Sequence, residues 1–320
     1  MTWNTSVFGH RSSDLITRWN LASGEIEDIH FIFSMKINLM SIRTLLLGLL
    51  LIGLFDSCAF RRIHRAKEIT YLQATDSLPE KHLNVFSPRK GEAHPVMIFV
   101  HGGSWSSGHK EIYDFFGSRM ARRKVVTVII DYPLSPEYKV YSMEKAVVAA
   151  VNWTMGNIAD YGGDPDQIFI SGHSAGGHLA ALVAMKSGLF EGGPPFRGAI
   201  LNDPGALDMD RYLEENSETS GKKYLRTFTE DRNIWRDYTP QNYLGKMQVP
   251  LIIMEGGRTY PMITETVRNF RAAAEKQGIP LEYSYYPHKH HIPMMLQFFF
   301  TWTKGYRDVL GFIEKHSSQQ

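Results

Sequence analysis

The sequence predicts an α/β fold, a mostly parallel central sheet with helices on both faces, and three observations carry that prediction. Short apolar runs alternate with longer helix-compatible stretches through most of the chain, the order that builds a parallel sheet with crossover helices. Several runs, among them 96–100 (VMIFV) and 125–130 (VVTVII), are apolar almost throughout, as strands covered on both faces are. At 168–181, IFISGHSAGGHLAA, one such run passes through small residues into another helical stretch, giving a strand, a tight turn and a helix.

The elements follow in order. Residues 69–73 and 82–86 read as short strands around a Ser-Leu-Pro turn, an antiparallel edge. A buried strand at 96–100 leads to a helix at 110–122, a strand at 125–130 and a long Ala- and Val-rich helix at 142–158. The loop 161–166, with paired glycines and Asp-Pro, feeds the central strand–turn–helix. Strands at 198–201, 250–254 and 281–286 follow, with a helix at 263–277 between the last two and a closing helix at 294–315. The charged, mixed stretch 209–247 breaks this rhythm and reads as a small cap insertion over the C-terminal edge of the sheet.

With 320 residues the chain can bury a substantial core. Its 35 basic and 33 acidic residues nearly cancel, so nothing argues for a nucleic-acid partner or a polyanionic substrate. The single cysteine, Cys58, excludes a disulfide framework and a cysteine-based zinc site. Lys36 and Arg43 precede an apolar stretch, 44–55, that ends in Asp56-Ser57-Cys58. That is the shape of an export signal, with an apolar region short for a membrane span. The small residue before Cys58 resembles a bacterial lipoprotein signal, which implies lipidation of Cys58, membrane attachment and a cell-envelope location; an uncleaved membrane anchor and a buried helix are the competing readings. The expected organisation is an upstream extension at 1–34, the signal at 35–58, a linker at 59–66 and one domain at 67–317.

The chemistry-bearing residues lie around the central turn. In Gly172-His173-Ser174-Ala175-Gly176 the glycines remove side chains that would clash in a strained strand-to-helix turn, so Ser174 is held into a cleft at a helix N-terminus. His101-Gly102-Gly103-Ser104-Trp105 directly follows the 96–100 strand. Two glycines there let the backbone aim N–H groups at a developing oxyanion, with Gly103 or Ser104 as one donor and Ala175 as the other. A serine hydroxyl needs a base, and His288, His290 and His291 follow the last predicted strand. His291 is the first choice by its place at the start of the Ile-Pro-Met-Met helix, and His290 the second. Trp105, beside the oxyanion loop, is a candidate wall of a substrate pocket, as are Tyr212, Tyr224, Phe228 and Trp235 of the insertion.

Together HGGSW, DYPLSP (131–136), GGDPDQIFISGHSAGGHLAA and the late histidine resemble the α/β-hydrolase superfamily, specifically its short-chain serine esterase branch near the hormone-sensitive-lipase-like, feruloyl-esterase-like and kynurenine-formamidase-like enzymes. The resemblance covers about residues 67–315. It implies a Ser-His-acid triad, an oxyanion hole at HGGSW, no metal or organic cofactor, and hydrolysis of small or carbohydrate-linked carboxylic esters through an acyl-enzyme. It also implies that Asp131 supports the oxyanion loop. The acid departs from the pattern: Thr259 stands where the family usually places an aspartate after the 251–254 strand. Asp203, at the end of the preceding strand, is the first candidate for that acid, as in pancreatic-type lipases; an Asx turn before Pro204 is the competing role. Glu255 is the second candidate, while Asp208 and Glu265 read as a cap contact and a helix-surface charge. Two alternative functions stay open, a formamide or amide hydrolase and a non-catalytic envelope protein of the same fold, the latter motivated by Thr259.

Overall fold

A computed structural model describes residues 63–89, 91 and 93–317. The expected upstream extension, the export signal and Cys58 lie outside the described residues. Eight strands form one sheet in the order β1-β2-β4-β3-β5-β6-β7-β8. They are β1 (Ile63–Leu72), β2 (Lys81–Pro88), β3 (His94–Val100), β4 (Val126–Ile130), β5 (Gly163–His173), β6 (Phe196–Asn202), β7 (Leu251–Arg258) and β8 (Glu282–His290). β2 runs antiparallel to both β1 and β4, and the other pairs are parallel. This is the α/β-hydrolase arrangement, with the antiparallel edge where the sequence predicts it.

The helices are α1 (Asp114–Ala121), α2 (Val140–Asn157), α3 (Ala175–Met185), α4 (Met209–Asn216), α5 (Leu225–Phe228), α6 (Arg232–Asp237), α7 (Pro261–Lys276), α8 (His291–Leu296) and α9 (Lys304–Ser317). Period-two alternation divides the core. Val96, Ile98 and Val100 of β3 pack with Val147 and Val151 of α2 on one face, whereas Met97 and Phe99 pack with Phe116 of α1 and Phe312 of α9 on the other. Phe99 meets the rings of Tyr113 and Phe116 at 5.0 and 4.8 Å, and burying such a side chain contributes about 2–3 kcal/mol.

Two boundaries differ from the sequence expectation. β1 begins at Ile63, inside the stretch read as a linker, because Ile63 to Ala66 pair with Pro88 to Val85 of β2 and Ile63 is buried. The closing helix is broken in two. Between α8 and α9 the side chain of Gln297 packs so closely that a Cβ on Gly305 would lie 2.6 Å from it, and the Thr303 hydroxyl caps the carbonyls of Gln297 and Phe300. The insertion comprises α4, α5, α6 and two 3-10 turns (Lys222–Tyr224 and Pro240–Lys246), and its Tyr224 and Phe228 cover Trp105. Among the described residues no helix is long and apolar enough to cross a membrane.

Candidate active site

β5 enters the central turn and α3 leaves it, with Ser174 between them at φ 57°, ψ −120°. A non-glycine residue with positive φ is uncommon and stored strain of this kind clusters at functional sites. The neighbouring glycines permit it: a Cβ on Gly172 would lie 2.2 Å from the Gly176 oxygen, and one on Gly176 would lie 2.0 Å from the Val100 oxygen. The Ser174 amide donates to the Asn202 carbonyl at 3.2 Å, and its own carbonyl accepts from the amides of His178 and Gly205 at 3.2 and 3.0 Å. From Ile168 to Met185 every residue is buried except Ser174, which is partly exposed. The turn therefore presents a single hydroxyl.

The HGGSW loop lies against this turn. A Cβ on Gly102 would come 3.1 Å from the Ser174 Cβ, so only a glycine lets the loop backbone approach so closely. Gly103, Ser104 and Trp105 all have positive φ, and the Gly103 carbonyl accepts from the amides of Ser106 and Ser107 at 3.1 and 3.0 Å. The Gly102 amide donates to the Tyr113 hydroxyl at 3.1 Å, while Tyr132 donates to the His101 carbonyl at 3.0 Å. Asp131 accepts from the Lys110 amide at 2.8 Å and stands 3.7 Å from the His101 ring, bracketing the loop from both ends.

His291 opens α8 and is 7% exposed; His290, the helix N-cap, and His288 are exposed. Nδ1 of His291 lies 2.6 Å from Oδ2 of Asp203. Asp203 is fully buried, at φ 50°, and its amide donates to the Met254 carbonyl of β7 at 2.7 Å. The chain thus turns from the end of β6 toward the end of β7, carrying the carboxylate with it. There the Gly256 amide donates to Oδ1 at 2.8 Å and the Thr259 hydroxyl donates to Oδ2. A buried carboxylate with three donors meets the requirement that buried charge be paired and hydrogen-bonded. Of the two candidates for the acid, the structure brings Asp203 to the histidine and not Glu255. Burial raises the Glu255 carboxyl above the usual carboxylate range, and it accepts from the Tyr283 hydroxyl at 2.7 Å. Asp208 accepts from Gln241 and Asn269, tying the insertion to α7.

His173, the residue before Ser174, is a further member of the site that no motif singles out. Its ring stacks on that of His291 with centroids 4.6 Å apart, its Nε2 donates to the His291 carbonyl at 3.3 Å, and its Nδ1 accepts from Tyr113 at 3.5 Å. Burial, with His291 beside it, lowers its pKa to about 3, so the ring stays neutral. Through Tyr113 and His173 the oxyanion loop is tied to the backbone of His291. The GHS tripeptide was the one available signal; nothing in the spacing marked Tyr113.

Trp105, expected beside a pocket, is 2% exposed and packed under the insertion. Its indole N–H donates to Nδ1 of His178 at 3.3 Å, and Nε2 of His178 donates to the Tyr238 carbonyl at 2.8 Å. Phe228 and Trp235 are likewise buried as the insertion's own core. No group of three or more His, Cys, Asp or Glu able to hold a metal ion occurs among the described residues.

The fold and the Ser174, His291 and Asp203 constellation define a chain of the α/β-hydrolase superfamily, in its esterase branch. Residues 83–264, over half of the chain, match the BD-FAE family model, and the chain belongs to that family. It is 23% identical over 240 residues to isoprenylcysteine alpha-carbonyl methylesterase ICME of Arabidopsis thaliana, covering 68% of this chain and 55% of that protein. Identity to esterase LipQ of Mycobacterium tuberculosis is 30% over 214 residues, covering 63% and 51%. The chain spans about half the length of the curated relatives it matches. Among solved structures, esterase B of Lactobacillus rhamnosis superposes with a TM-score of 0.68 at 18% identity, covering 87% of this chain and 94% of that one. A truncated carbohydrate esterase from gut microbiota superposes with a TM-score of 0.67 at 18% identity, covering 80% and 97%. At these identities the structural likeness concerns the fold.

Proposed function

We propose that the protein hydrolyses carboxylic esters through an acyl-enzyme on Ser174. The observation that carries this reading is the 2.6 Å contact between His291 and the buried Asp203, with the His291 ring stacked on that of His173, the residue before the strained serine. With Nδ1 held by Asp203, the free nitrogen of His291 is Nε2, the base that takes the Ser174 proton and returns it to the leaving alcohol. Asp203 fixes the tautomer and stabilises the imidazolium. The attacked carbonyl oxygen becomes an oxyanion held by amides of Gly103, Ser104 and Ala175; the Gly102 amide is already engaged by Tyr113. Water then attacks the acyl-serine with His291 again as base, releasing the acid. Thr259, which motivated a non-catalytic reading, donates to the displaced acid and so supports the triad.

The small or carbohydrate-linked substrate class draws its support from relatives named as esterases and from the carbohydrate esterase that shares the fold. Export and anchoring through lipidated Cys58 belong to the same proposal and rest on the 35–58 sequence. Turnover of p-nitrophenyl acetate by the wild type and Ser174→Ala, with fluorophosphonate labelling, tests the chemistry. Serine-dependent hydrolysis and labelling are expected; folded wild type that neither labels nor hydrolyses would overturn it.

A further inference from the structure

The surface beside His291 carries an apolar patch that the proposed chemistry does not use. Ile292 and Leu296, 54% and 46% exposed, share one face of α8 four residues apart. Beyond them Phe299 lies flat on Phe115 of α1, ring centroids 3.9 Å apart and planes 7° apart, and Phe300 packs on Trp302 at 5.1 Å. Trp302 is 72% exposed, and Ile112, just before α1, also faces solvent. Met294, Met295 and Phe298 of the same stretch are buried and supply what the core takes from it. Scattered exposed apolar residues are ordinary, whereas a concentration of them in one short stretch, at 292, 296, 299, 300 and 302, marks an interaction surface.

Charge decides between occupants. From Tyr283 to Arg307 the chain has no acidic residue, and Lys289 and Arg307 carry positive charge there, while Lys304 is paired with Asp308. A second copy of the chain would set these groups against their own kind. A sugar chain takes flat aromatic faces and polar partners; Phe300 and Trp302 offer the first, but the aliphatic side chains of Ile112, Ile292 and Leu296 make up the rest of the patch and suit an apolar occupant. Aliphatic side chains with an exposed tryptophan and flanking Lys and Arg match a lipid interface, where the apolar groups enter the acyl boundary and the cations meet anionic headgroups. Lipidation of Cys58, the attachment read from residues 35–58, would hold the domain at a membrane.

We propose that this face lies on the surface of an anionic lipid bilayer, with the His291 side of the site turned toward the membrane. Tyr260, 56% exposed and with its ring 4.8 Å from that of His291, continues the apolar rim to the triad. The proposal rests on the membrane-attachment reading, not on hydrolysis.

The test reconstitutes the full chain, as wild type and as Trp302→Phe, into vesicles of phosphatidylcholine and phosphatidylglycerol carrying brominated acyl chains. Flotation reports attachment, and the emission present in wild type but missing from Trp302→Phe reports the patch. Because Trp302 is so exposed, the variant keeps the fold. The expected result is flotation with loss of the Trp302 emission to bromolipid, shielding of that emission from aqueous iodide, and a smaller loss in Leu296→Ser/Phe300→Ser and in vesicles of phosphatidylcholine alone. Flotation with Trp302 quenched by iodide and not by lipid overturns the patch and leaves the anchor standing. Failure to float overturns both. Shielding of Trp302 by self-association or by added xylo-oligosaccharide, without lipid, overturns the proposal in favour of those occupants.

Discussion

Thr259 donates its hydroxyl to Oδ2 of Asp203, the oxygen that also meets Nδ1 of His291. A residue at the strand end usual for the acid therefore supports an acid delivered from the neighbouring strand. In the proposed relay the carboxylate comes from the end of β6, with Thr259 at the end of β7 bonded to it.

Asp203→Asn removes the charge that stabilises the imidazolium. The kcat for p-nitrophenyl acetate is expected to fall roughly 10³- to 10⁴-fold with little change in KM. Glu255→Gln, altering a carboxyl bound to Tyr283, leaves kcat near the wild-type value. Steady-state kinetics on both variants separate the two carboxylates.

Moving the acid back should restore part of the loss. The Thr259 hydroxyl oxygen stands 3.3 Å from Nδ1 of His291, close enough for a carboxylate at 259 to reach the ring. Asp203→Asn/Thr259→Asp is expected to exceed Asp203→Asn in kcat by at least about tenfold, equivalent to ~1.4 kcal/mol of transition-state stabilisation. A double variant no faster than the single one shows that the β7 end cannot carry the acid.

Tyr113→Phe leaves the Gly102 amide and Nδ1 of His173 without their shared partner. Losing a buried hydrogen bond of this kind costs about 1–3 kcal/mol. Because the loop is aimed at an oxyanion absent from the ground state, the loss is expected in kcat and not in KM, by roughly tenfold.

Gly176→Ala tests the packing of the turn. The added Cβ would meet the Val100 oxygen at 2.0 Å, a backbone atom that cannot give way without disturbing β3. A loss of more than ~3 kcal/mol in urea unfolding is expected, against little effect for Gly156→Ala, where nothing lies within 4 Å of the new atom.

Stability should also fall in mild acid. Burial lowers the pKa of His178 from 6.5 to about 4 and that of His173 to about 3. Between these values and 6.5 the unfolded chain binds protons that the folded chain refuses, so stability is full above pH 6.5 and is lost as pH falls toward the folded values. For His178 the shift corresponds to roughly 3 kcal/mol. Urea midpoints measured from pH 7 to pH 4 are expected to decline less steeply in His178→Gln.

The parts of the molecule written as local pattern were legible. The buried runs of β3 and β4 and the glycines flanking Ser174 state their geometry in the sequence because each constraint acts over a few residues. Asp203 could be named a candidate but not chosen, since its selection depends on a left-handed backbone turn and on the β7 amide of Gly256. Tyr113 was invisible because its function is a meeting of three segments. Trp105 looked like a pocket wall because its place beside the loop was readable and the burial by Tyr224 and Phe228 was not.

The carboxylate that orients His291 begins on β6 and is fastened to β7 by the Met254 carbonyl, the Gly256 amide and Thr259. Catalytic competence is thereby made a gauge of one seam in the sheet. Any local opening that parts these two strands withdraws the acid from the histidine while the other six strands remain paired. Such sub-global openings cost less than complete unfolding. Activity should therefore fade on warming before circular dichroism changes, and the first amides to exchange with it should be those joining the ends of β6 and β7.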